Sequence, residues 1–266
     1  MKIEDVKKFS LIIIESLPDC DKKTGYNLFS SIIKYKQFQK TSLSSKYYDV
    51  TDKNEFLKLI KNIINQAIEN NHFYIFHFEI HGFENGINLK SGEDVHWKEL
   101  IPFFRKLNFH YRNTLAICLA VCKGANLLRY INPSERAPFK ILISSASNIH
   151  ENDIIHGFEE FYNHYFFSFD PYISLEKYNS VISKPEDRLE IITSEYCFDN
   201  LADIERETAD KQALINSYKN TLIIDYPDMQ YFPEEYLNKY IEKKLTDLFD
   251  KLKLNRNYFL MNDLKE

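Results

Sequence analysis

The chain has 266 residues, 44% of them hydrophobic, enough to bury one large core or a core with a modest second lobe. Its 34 basic and 39 acidic side chains nearly balance at a net charge of -5, and no Lys/Arg block interrupts them. This argues against nucleic acid or an anionic membrane as a partner. Four cysteines (Cys20, Cys118, Cys122 and Cys197) are too few for a disulfide scaffold and point to a reducing, cytoplasmic setting. The opening MKIEDVKKF lacks the pattern of a secretion signal. The longest apolar run, Leu115 to Cys122, falls far short of the roughly 20 residues that cross a bilayer.

In chain order, Leu11 to Ser16 is a β-branched run bounded by Pro18 and Gly25, which predicts a strand buried on both faces. Thr24 to Phe38 carries apolar residues at helical spacing, and Tyr47 to Val50 reads as a short strand. Asp52 is the expected cap of a periodic helix with Phe56, Ile60, Ile63, Ile64 and Ala67 on one face, closed by Asn70 and Asn71. Phe73 to Ile80 predicts a strand ending at His81-Gly82, followed by a small extended segment from Gly86 to Lys90 and a turn at Ser91-Gly92. A helix over about Val95 to Leu107 leads to the apolar strand Asn113 to Val121, which ends at Cys122-Lys123-Gly124. Phe139 to Ser144 is the fifth core strand, and Asn152 to Tyr165 the helix after it.

Strands alternating with helices predict an α/β fold, a three-layer sandwich with a central, mostly parallel sheet and helices on both faces. Beyond about Phe169 the alternation weakens. Strands are possible at Leu189 to Ile192 and Thr221 to Ile224, with helix near Asn200 to Tyr218. A final helix opens near Pro233 with a stripe of Tyr236, Leu237, Tyr240, Ile241, Leu245, Leu248, Phe249 and Leu252. The expected organisation is a core over residues 1–170 and a mainly helical C-terminal extension over 171–266.

Reactive groups in a parallel sheet collect beyond the carboxyl ends of its strands. His81 and Cys122 both fall there, after successive strands that are expected to be neighbours. An imidazole beside a thiol can take its proton as the sulfur attacks. Gly82 and Gly124 would let a substrate backbone approach and aim peptide N–H groups at an oxyanion. The plainer reading makes Cys122 a small buried hydrophobe and His81 a turn residue. His77, His81, Cys118 and Cys122 also suggest zinc ligands, but four residues along a strand span roughly 13 Å, so neither pair converges on one ion. His77 and Cys118 are therefore expected to be packing residues, and no metal or other cofactor is implied.

HFEIHG (His77 to Gly82), then GINL, then CKG after an apolar strand resembles the caspase-like cysteine peptidases, nearest to the CHAT and separase types. The likeness runs from Leu11 to about Tyr165, including Thr24-Gly25, Trp97 to Leu107 and Phe158 to Tyr162. It implies a caspase-like sandwich with His81 as general base, Cys122 as nucleophile and the N–H groups of Gly82 and Cys122 as oxyanion hole. Its substrate would be a protein or peptide. Ala120-Val121 stand where caspases carry Gln-Ala and metacaspases Asp-Ser, which speaks against aspartate specificity.

The resemblance offers Asp153 as an acid recognising a basic side chain before the cut (an S1 residue), with Glu151 a second choice; an acid there more commonly caps a helix. Glu15, Asp19 and Asp21 could line a cation pocket, although loop acids are most often merely solvated. The implied enzyme is an endopeptidase activated by a partner protein or ligand, of the kind that serves bacterial defence. The alternative is a catalytically inactive module that binds a partner protein. A nucleotide-binding domain is disfavoured, since no glycine-rich phosphate loop follows any strand.

Overall fold

The computed structural model describes residues 9–39, 43–206, 219, 229 and 231–264. They form two compact units, one comprising residues up to Asn132 together with Ala137–Ser194, the other Pro133–Arg136 and the residues from Glu195 onward.

The first unit is built on eight strands: β1 (Phe9–Ser16), β2 (Leu43–Asp49), β3 (Phe73–Phe83), β4 (Gly86–Asn88), β5 (Asp94–His96), β6 (Ala116–Ala120), β7 (Ile141–Ser144) and β8 (Glu190–Thr193). The central order is β2-β1-β3-β6-β7-β8. All neighbours along it are parallel except β8, which runs antiparallel to β7 at the edge. The expected α/β fold with a mostly parallel sheet is therefore observed. β1 starts in the interior, the chain leaves it outward to β2, then returns to β3 on the other side. That reversal between β1 and β3 opens a crevice at the carboxyl ends of the strands.

The helices are α1 (Thr24–Leu28), α2 (Lys34–Gln39), α3 (Lys53–Asn70), α4 (Trp97–His110), α5 (Glu151–Ser168) and α6 (Pro171–Val181). Asp52 caps α3 by accepting a hydrogen bond from the Glu55 N–H at 2.8 Å, and Asn71 ends it in the left-handed region at φ 47°. Side chains alternate across the sheet with a period of two. One face sends Leu11, Ile13, Cys118, Ala120 and Ile143 into a core with Phe158, Phe161 and Tyr162 of α5. On the other face, Phe78 meets Phe56 of α3 and Phe104 of α4 at ring separations of 6.3 and 5.9 Å.

Three expectations shift. The segment Thr24 to Phe38 is helical as expected, but a π-helical stretch over Phe29–Ile33 lies between α1 and α2. β3 runs on past Ile80 to Phe83 because β4 pairs with its overshooting end. Residues 171–194, expected in the extension, supply α6 and β8 to the first unit. Asp170 caps α6 by accepting from the N–H groups of Tyr172 and Ile173.

The second unit is helical, with most of α7 (Ser194–Arg206) and all of α8 (Glu234–Phe259). Arg256 donates twice to Asp199, at 2.7 and 2.9 Å, and Phe198 packs on Phe259. Arg136 donates to Asp263 and lies over the Tyr258 ring. Of the expected apolar stripe on α8, Leu237 and Ile241 are buried while Tyr236 is exposed. The strand expected at Thr221 to Ile224, the helical stretch beyond Arg206, and the side chains of Leu245, Leu248, Phe249 and Leu252 lie outside the described residues. No helix among the described residues is long and apolar enough to cross a membrane.

Candidate active site

β3 and β6 pair in register through His77↔Cys118 and Glu79↔Ala120. Two residues further along stand His81, still within β3, and Cys122, just past the end of β6. β3 overshoots its neighbours there: its last partner on β1 is Ser16, opposite Ile80, and beyond that His81 pairs only with Asn88 of the β4–β5 hairpin. His81 is thus a strand residue at the rim, not a turn residue. The hairpin is pinned by Trp97, wholly buried, whose ring N–H donates to the Glu84 carbonyl at 3.2 Å and whose backbone N–H donates to that of Asn85.

Cys122 sits in the turn after β6. The following Lys123 adopts a left-handed φ of 56°, a conformation that costs a non-glycine residue about 1 kcal/mol. The turn is laced to the loop after β7: Lys123 N–H donates to the Ser147 carbonyl at 2.8 Å and Ala125 N–H to that of Ser145 at 3.0 Å. The Ile149 N–H points at the Cys122 sulfur from 3.4 Å.

Gly82 joins the two strands' ends. A Cβ there would lie 2.0 Å from the Cys122 carbonyl oxygen, so only glycine lets the peptide after His81 close against the Cys122 backbone. The close approach expected of a substrate is made here by the protein itself. Gly124 likewise serves packing, since a Cβ on it would meet the Ser144 hydroxyl at 2.3 Å.

His81 and Cys122 line one cavity of about 90 Å³ with Asp21, Glu79, Ile149 and Glu151. His81 keeps 52% of its side chain exposed, and its Nε2 is hydrogen-bonded to Asp21 Oδ2 at 2.7 Å. That bond is the main cause holding the Asp21 carboxyl below its ordinary pKa. Asp21 lies in the loop after β1 and, of the three acids considered there as pocket residues, is the one that lines this cavity. At the mouth, Lys22 bridges to Glu151 at 2.7 Å and to the Asn152 side-chain oxygen at 3.0 Å.

Beneath the cavity lies a buried polar chain. Tyr162 OH meets His77 Nδ1 at 3.1 Å, His77 Nε2 meets Glu79 Oε1 at 2.8 Å, and Thr24 donates to Glu79 Oε2 at 2.8 Å. Glu15, opposite Glu79 on β1, accepts from the Gly25 N–H at 2.7 Å and from Tyr47 OH at 2.5 Å. Burial raises its pKa, the two hydrogen bonds oppose the rise, and the neighbouring Glu79 adds to it. Cys118 is fully buried, and desolvation pushes its thiol up to about 12.

Asp153 is not among the residues lining the cavity. It is buried in the first turn of α5, 3.4 Å from the Ser183 hydroxyl and beside Asp187, while Glu151 does reach the cavity. The cap position of α5 is taken by His150. Asp19 forms a surface ion pair with Lys23 at 3.6 Å. Among the described residues no group of three or more His, Cys, Asp or Glu is placed to hold a metal ion. Comparison with protein-family models and with curated proteins finds no match to this chain. Fold and cavity define an α/β protein with a His/Cys-lined crevice at its switch point.

Proposed function

We propose that the chain is a caspase-like cysteine endopeptidase acting through Cys122 and His81. The observation that carries this reading is the juxtaposition of the two at the rim of neighbouring parallel strands, in one cavity, with Gly82 closed against the Cys122 backbone. The layout matches the one the resemblance implies: histidine before glycine at the end of one strand, cysteine at the end of the next.

In the proposed reaction the Cys122 sulfur attacks the scissile carbonyl carbon, and His81 takes the thiol proton. Nε2 is engaged by Asp21, so Nδ1 is the nitrogen that accepts. Asp21 fixes the orientation of the ring, the part an orienting carboxylate plays. The N–H groups of Gly82 and Cys122 serve the developing oxyanion. Collapse of the intermediate breaks the C–N bond as His81 returns the proton to the departing amine. Water, deprotonated by His81, then attacks the thioester; the C–S bond breaks, releasing the acid and restoring the thiol.

Three carboxylates, Asp21, Glu79 and Glu151, border the cavity, which favours a basic side chain before the cut. Recognition then falls to Glu151, with the substrate's basic group taking the place of Lys22, instead of to Asp153. The test uses a peptide panel with Lys or Arg against Asp or Ala before the cut. Cys122→Ala and His81→Ala are each expected to lower cleavage by at least about 10³-fold with an unchanged circular dichroism spectrum. Retained cleavage in either variant overturns the assignment, and inert wild type favours the binding module.

A further inference from the structure

At the opposite end of the strands lies a second cavity, of about 160 Å³, under the second half of α5. Its floor is Ile75, Ala116, Cys118, Ile141 and Ile143, side chains of β3, β6 and β7 on one face of the sheet. Phe161, Tyr162 and Tyr165 roof it, and Thr114 stands among its few polar residues. Aromatic rings and aliphatic side chains make nearly all of the enclosure. The pocket is open to solvent along the half-buried Ala116, Lys140 and Ile141, and an apolar space of this volume is large enough for a benzene-sized guest. The Thr114 hydroxyl donates to the Tyr111 carbonyl at 2.8 Å, which leaves its oxygen able to accept from a ligand.

We infer that this cavity binds a small single-ring aromatic molecule and that its occupancy is felt at the Cys122 cleft. Two physical links join the sites. Helix α5 borders both, with Ile154 in the cleft and Tyr165 in the cavity, about 16 Å apart along its axis. Tyr162, in the cavity roof, begins the hydrogen-bonded chain through His77 to Glu79, which lines the cleft. A guest pressing on the Tyr162 ring shifts a helix and a polar chain that already end at the other site. Neither arm of the test rests on the peptidase reading, since both are read without cleavage.

The probe is fluorobenzene, observed by ¹⁹F NMR, with a Cys20→Ser background so that the exposed Cys20 thiol does not report. Wild-type protein is expected to broaden the ¹⁹F line, and Ala116→Leu or Ile141→Phe, which fill the cavity, to abolish the broadening while each still unfolds cooperatively. No broadening by the parent protein, or equal broadening by both filled variants, overturns the site. Saturating fluorobenzene is expected to change the rate of Cys122 alkylation by iodoacetamide about fivefold, a normal coupling between sites. Tyr162→Phe, which cuts the polar chain and leaves α5 in place, is expected to keep the broadening and reduce that change. Binding with an unchanged alkylation rate overturns the link between the sites.

Discussion

β3 and β6, with the turn that follows β6, carry two His/Cys pairs four residues apart: His77 with Cys118, paired in register, and His81 with Cys122, beyond the last paired residues. The inner pair is wholly buried, its histidine held by Glu79 and Tyr162 and its thiol pushed up to about 12. The outer pair stands past the last parallel partner, where the hairpin carries β3 onward and a cavity opens. Residue type and spacing are the same, so depth along the strand separates a packing role from an accessible one. Inside, every polar atom of the inner pair's histidine needs a partner; at the rim, water and a bound molecule can supply them.

The largest expected contrast is chemical. With a pKa near 12, Cys118 holds about 10³-fold less thiolate at neutral pH than a thiol of ordinary pKa. Iodoacetamide is expected to modify Cys122 in the native protein and Cys118 only after unfolding, read by peptide mass spectrometry; native labelling of Cys118 breaks the contrast. His77→Phe leaves Glu79 short of a partner and is expected to destabilise by about 4 kcal/mol in urea unfolding. Cys122 alkylation should survive it under native conditions.

Gly82→Ala is expected to cost about 3 kcal/mol and to abolish cleavage, because the new Cβ displaces the Cys122 carbonyl. Glu15→Gln tests the buried side. Burial raises the Glu15 pKa, so its contribution to stability is complete below the ordinary carboxylate pKa and is lost as pH rises through the raised value. The variant should therefore gain about 1 kcal/mol at pH 8 and nothing near pH 4. The smallest effect belongs to Asp21→Asn at the rim. The Asp21 pKa is lowered, so its contribution is present above the ordinary carboxylate value and fades as pH falls through the lowered one. Its removal should flatten only the most acidic part of the stability curve, while slowing cleavage.

Much of this arrangement is legible in the chain. The β-branched run of β1, the apolar runs of β3 and β6 and the face of α3 between Asp52 and Asn71 mark the sheet and one covering layer, and His81 and Cys122 fall at the rim that these strands define. Asp21 is legible as a possible pocket acid but its bond to His81 is not, since a loop acid has no period to fix its direction and its partner is 60 residues away. The Glu15–Glu79 pair is hidden for a related reason: register between β1 and β3 is a tertiary fact. Helix α6 carries its signature, Asp170 before Pro171, but its apolar stripe is thin: it buries Ser174, Leu175 and Tyr178, the last against Gly157 of α5.

The pinned hairpin has an optical consequence. Trp97 is the chain's single tryptophan, sealed from water and bonded to the carbonyl of Glu84, three residues beyond His81. Its fluorescence therefore watches one place, and a red shift in emission would signal the fraying of the strand extension that carries His81 before the rest of the sheet gives way.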